Sequence, residues 1–118
     1  MWLLDENPSL VKIYDMLYRL GISANYIGFF YVSYAVWLSY RQPDRLLLVT
    51  KWLYPEVAKH YETNWKAVER DIRTVVDAVW RDNPYLLSEL TGYPLSEKPR
   101  PAQFLAMLVQ AIFSESVA

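Results

Sequence analysis

Apolar positions recur along this chain at three- and four-residue intervals, the period of a helix. In the first such stretch Leu10, Ile13, Tyr14, Leu17 and Leu20 share one face. Asn7 followed by Pro8 predicts the start, a cap and then a proline at the first helical position, and Gly21 predicts a left-handed stop. From about Asn25 to Tyr40 the chain is apolar on nearly every side, so a second helix is expected at the centre of the fold. "RQPD", Arg41 to Asp44, reads as a turn. Pro55 cannot sit in a helix interior, so "RLLLVTKWLYPEVAKHY" divides into a short helix up to about Trp52 and another from about Pro55 to Tyr61. A polar break, Glu62-Thr63-Asn64, precedes a long helix over about 65–80. "DNP", Asp82 to Pro84, opens a short helix that Gly92 ends, and "YPLSEKPRP" is a loop with three prolines. The last helix, about Pro101 to Phe113, is expected to bury Phe104, Leu105, Leu108 and Ile112. No convincing strand is found. The expected fold is all-α: a single domain over residues 1–118, a compact bundle of six to seven helices with a helix-turn-helix at about 55–80.

On a helical wheel for the long helix, Ile72, Val75, Val76 and Val79 gather round Val68 and form the core face. Lys66, Arg70, Arg73, Thr74 and Asp77 collect on the opposite face, with Ala67 and Glu69 on its two flanks and Trp65 falling towards the core. Thr63 or Asn64 can cap the first turn. Helix, three-residue break and capped amphipathic helix is the layout in which the second helix enters the major groove of DNA. The same pattern also occurs in plain helical bundles, where a charged outer face is solvated and Arg73 pairs with Asp77 four residues on.

Composition narrows the alternatives. With 118 residues, 53% of them hydrophobic, a real core is expected. No cysteine is present, which excludes a disulfide framework, a thiolate zinc site and a cysteine nucleophile, and fits a reducing cytoplasm. "MWLLDENPSL" has no basic n-region or cleavage pattern, so it is not a signal peptide. The apolar run Tyr26 to Tyr40 has 15 residues, four tyrosines and two serines, short of the ~20 that span a bilayer; no membrane partner is expected. His60 is the only histidine, and Glu56 four residues before it reads as an ordinary surface partner. With three glycines there is no phosphate-binding loop, and no serine stands in a nucleophile elbow. Enzyme chemistry, a metal and a cofactor are therefore not expected. The net charge of −1 argues mildly against nucleic acid, but between Arg41 and Arg81 eight basic residues face six acidic ones.

Four segments, "RLGISANYIGFFY", "LVTKWLYPEVAKHY", "AVERDIRTVVDAVW" and "LTGYPLSEKPRPAQFLAML", resemble in order the C-terminal DNA-binding effector domain of stage zero sporulation protein A, a bacterial response regulator. The resemblance covers roughly Ser9 to Phe113. Its most specific pieces are T-K-x-L-Y-P at Thr50 to Pro55, V-E-R-x-I-R at Val68 to Arg73, and G-Y…K-P…F-x-A-M at Gly92 to Met107. It implies an all-helical domain that binds double-stranded DNA in the bacterial cytoplasm, often as head-to-tail dimers on tandem boxes. The recognition helix would start at Trp65, with Glu69, Arg70 and Arg73 facing DNA. The family's guanine-reading arginine is replaced by Ala67, small residues by Trp65 and Lys66, and another by Asp71; the loop from Gly92 to Lys98 is shorter and no receiver domain is present. Met1 and the lead-in after it favour a small complete protein over an excised domain.

Two readings stay open. In the first, a DNA-binding transcriptional regulator meets phosphates through Lys51, Lys59, Arg70, Arg73 and Arg81, while Lys66 and Glu69 read bases, with Thr74 on the same face. In the second, a degenerate helix-turn-helix acts through protein contacts, pairing with a related regulator. Ten tyrosines and five tryptophans are a large aromatic content, and an exposed surplus would suit an interface.

Overall fold

The computed structural model describes residues 10–117, with side chains as far as 114; the cap expected at Asn7 and Pro8 lies outside these residues. Seven α-helical segments follow one another: α1 Leu10–Arg19, α2 Ile27–Arg41, α3 Val49–Trp52, α4 Tyr54–His60, α5 Trp65–Asp82, α6 Pro84–Thr91 and α7 Pro101–Val117. No strand forms among the described residues. The all-α expectation holds, and most boundaries fall within two residues of those read from periodicity. The last helix runs four residues past Phe113. Arg41 completes α2 instead of opening a turn, and Pro43–Leu47 coils into a 3₁₀ turn.

α2 is the central element, as its unbroken apolar run predicted. It packs on α1, α4, α5, α7 and the 3₁₀ turn, and it buries Phe29, Tyr31, Val32, Ala35 and Val36. Its crossing with α5 depends on Gly28. A Cβ there would collide with the Asp71 carbonyl and lie 2.7 Å from Val75 Cγ2. The missing side chain lets the two helices approach closely, and this fixes the back of α5. The four residues expected inside the last helix, Phe104, Leu105, Leu108 and Ile112, are all fully buried.

The far end of α5 is tied down separately. Gly21 ends α1 in the left-handed region at φ +87°, where its lack of a Cβ is favoured. Beside it the Asn83 side-chain amide donates to the Leu20 carbonyl at 3.0 Å. A Cβ on Gly21 would come within 2.8 Å of that amide nitrogen. One glycine thus serves both the turn and the contact that locks the end of α5 to the end of α1.

Candidate nucleic-acid interface

α4 is short because Pro55 stands in its first turn and the chain leaves helical geometry at Tyr61. It buries Tyr54, Val57 and Ala58 and leaves Glu56, Lys59 and His60 exposed. The turn is closed by Thr63 N–H donating to the Ala58 carbonyl at 2.9 Å. Asn64, not Thr63, is the cap of α5: its side-chain oxygen accepts from the Ala67 N–H at 2.9 Å. Just before both, Glu62 sits at φ +55°, a left-handed conformation that costs a side chain about 1–2 kcal/mol. Replacing Glu62 by glycine should therefore raise stability by about 1 kcal/mol, the gain reduced by glycine's greater freedom in the unfolded chain. Urea unfolding measures it, and a loss of stability would mean that the Glu62 side chain makes a contact outweighing the strain.

On α5, Val68, Ile72, Val75, Val76 and Val79 are buried, in agreement with the wheel. Lys66, Arg70, Arg73 and Thr74 are exposed on the outer side, and Glu69 is half-buried on its flank. Lys66 and Arg73 are about 10 Å apart along the helix axis, a length that fits within one groove. Thr74 Oγ1 donates to the Arg70 carbonyl at 3.1 Å, so its proton is used on the backbone and its lone pairs face out. The Tyr54 hydroxyl lies near this face. Burial pushes it up to about 12; the Glu69 carboxylate adds to the rise and the Arg73 guanidinium opposes it.

The structure redraws several expected partners. Asp77 binds Lys98 at 2.7 Å, not Arg73 four residues earlier, so the loop before α7 takes up that carboxylate. Asp71 does not project towards a ligand. Its side chain is only 15% exposed, and it holds the Arg70 guanidinium at 3.2 Å, raising the arginine's proton affinity. Trp65, expected towards the core, keeps 36% of its surface exposed. It is the first helical residue, and its Cβ leans back towards the helix end, where the fold covers it only in part. The Lys66 ammonium sits 5.8 Å from its ring centre. His60 does not pair with Glu56; it stacks on Tyr34, with ring centres 4.1 Å apart and planes 15° from parallel.

Not all the expected cations come together. Lys66, Arg70 and Arg73 share the outer face of α5. Lys59 lies on α4 beside Tyr34, Glu56 and His60. Lys51 belongs elsewhere, in an open groove of about 850 Å³ that it lines with Arg41, Arg45, Leu47 and Trp52. Arg81 is held by Asp82 at 3.0 Å. Among the described residues no group of three potential metal ligands forms, and no helix is long and apolar enough to cross a membrane.

An apolar-backed second helix, capped after a three-residue turn and charged along its free face, defines a helix-turn-helix domain. The family model "Sporulation initiation factor Spo0A C terminal" matches residues 13–112, and the chain belongs to that family. This is the family of a sporulation regulator's DNA-binding effector domain and not a family of enzymes.

Proposed function

We propose that residues 1–118 act as one domain, a DNA-binding transcriptional regulator whose α5 lies in the major groove of double-stranded DNA. The observation that carries this reading is the division of α5 into a buried valine and isoleucine face and an exposed face with Lys66, Arg70 and Arg73. Arg70, Arg73 and Lys59 would meet phosphates, with Lys51 reaching them only at the margin. Glu69 would accept from a cytosine N4, Lys66 would approach a base edge, and Thr74 would accept or bridge at the groove wall. On tandem sites two copies would bind head to tail, or one copy beside a related regulator. Selection of bound duplexes from a random pool at low salt tests the reading; an enriched motif supports it and an unenriched pool overturns it.

Sequence preference should depart from the family's at Ala67, which is too short to bring a donor to a base edge. The family's guanine-containing box is expected to bind about 1–3 kcal/mol more weakly per lost base contact. Ala67→Arg should recover part of that loss. Titration of both proteins against the box and a copy with the guanine replaced measures it. Equal discrimination by the unmodified protein would show that another side chain reads that base.

A second reading rests on the groove beside Lys51. Leu47 and Trp52 remain 76% and 41% exposed there, next to Arg41 and Arg45. Asp44 and Glu56 line the same groove. Exposed apolar side chains among charges of both signs suit a protein segment, and in that role the domain would modulate a related regulator without reading DNA.

A further inference from the structure

The first residue of α5 is a large apolar side chain left open to solvent where a helix-turn-helix meets base edges. Trp65 does not complete the core, which closes over Val68 and Ile72 further along the helix. It is held in place all the same. Asn64 fixes the first turn through the Ala67 N–H, and the Lys66 ammonium lies over the indole. With 100° per residue, Glu69 and Arg73 fall along one flank of the helix, on the side of Tyr54, and Trp65 lies at the inner edge of that flank, while Ala67 falls on the other side. That flank therefore carries, in order, an apolar ring, a carboxylate acceptor and a guanidinium.

We propose that Trp65 is a specificity-determining residue, reading a thymine through apolar contact between the indole and the C5-methyl group in the major groove. The chemistry suits no other base: thymine alone presents a C5-methyl there, where cytosine has only a hydrogen, and cytosine's own mark is the N4 amino donor that Glu69, one turn further on, can accept. The flank thus reads pyrimidines by two different marks. The Lys66 ammonium, which lies over the ring, packs against the indole on its way to the base edge. This reading rests on the DNA-binding function proposed above and adds to it which base is read and by what.

The test replaces thymine by deoxyuridine, one position at a time, in a duplex selected from the random pool. This removes a single methyl and leaves every hydrogen-bonding group in place. The unmodified protein should lose about fourfold in affinity at one position, the equivalent of about one buried methyl group. Trp65→Ala should bind the thymine and deoxyuridine duplexes equally well, and Trp65→Phe should keep part of the difference. Thermal melting shows whether the variants fold. If Trp65→Ala does not, the deoxyuridine series on the unmodified protein and on Trp65→Phe still decides. Retained duplexes with no sensitivity to any thymine methyl overturn the role of Trp65 and leave the DNA-binding reading intact. So does a Trp65→Ala protein that discriminates as well as the original. Failure to retain any duplex at low salt overturns both.

Discussion

Ile72→Ala should destabilise the domain by about 2–5 kcal/mol. Ile72 is fully buried, at the middle of the α5 face that carries Val68, Val75, Val76 and Val79. Truncation removes three carbons from a packed interior. The walls cannot simply close over the gap, because α5 is pinned on both sides. Gly28 already brings α2 against its backbone, and Asn83 ties its end to the Leu20 carbonyl. The cavity term should therefore be near its full size. Ile72→Val, which removes one carbon, should cost about 0.5–1.5 kcal/mol. Arg73→Ala, one residue along on the exposed side, should change stability by no more than about 0.5 kcal/mol. Urea unfolding of the three variants gives the comparison. Equal losses at 72 and 73 would mean that α5 is not divided into a core face and a free face, and the proposed interface would go with it.

That division was legible because it depends on composition at fixed angular spacing. A helix with valine and isoleucine at positions 68, 72, 75, 76 and 79 can bury only one side. The central place of α2 was legible for the opposite reason, since a helix apolar all round has no side to give to water. The limits of the caps followed from Asn64, Pro84 and Gly92. What escaped were features set by another part of the chain. Asp77 has an arginine four residues before it, yet Lys98 reaches it from a loop 21 residues away. Asp71 looks like an outward charge on a linear reading, but α2 crosses there and shelters it. His60 had a carboxylate at helical spacing, and the aromatic ring of Tyr34 took it. Trp65 shows a different limit. Periodicity gives the direction of a side chain but not how completely the core covers it, and at the first turn of α5 the cover is partial. Glu62 in the left-handed region carried no signal at all, because that position ordinarily announces itself by glycine or asparagine.

Raising salt from about 50 to about 200 mM should weaken DNA binding by about 60- to 250-fold, a slope of log affinity against log salt of about −3 to −4. The figure follows from which cations are free to displace counterions. Among the described residues the phosphate-facing Lys51, Lys59 and Arg73 make no ion pair, while Arg70 is held by Asp71, Arg81 by Asp82 and Lys98 by Asp77. Three phosphate contacts account for a slope near −3 and a fourth, through Arg70, for one nearer −4, at about 0.9 per phosphate. The pair at Arg70 gives a way to separate these terms. Asp71→Asn keeps the size and packing of the side chain against α2 but withdraws its charge from the guanidinium. Binding at low salt should tighten, and the slope should steepen by about 0.9, because Arg70 would then exchange a phosphate for a counterion instead of for a carboxylate. An unchanged slope with tighter binding would show that Arg70 already leaves Asp71 in the complex. Arg73→Ala should act in the opposite direction, lowering both the affinity and the slope by one contact. A slope near zero with binding retained would remove phosphates from the interaction altogether. The outer face of α5 would then be an ordinary solvated surface, and the groove with exposed Leu47 and Trp52 would become the place to look for the partner.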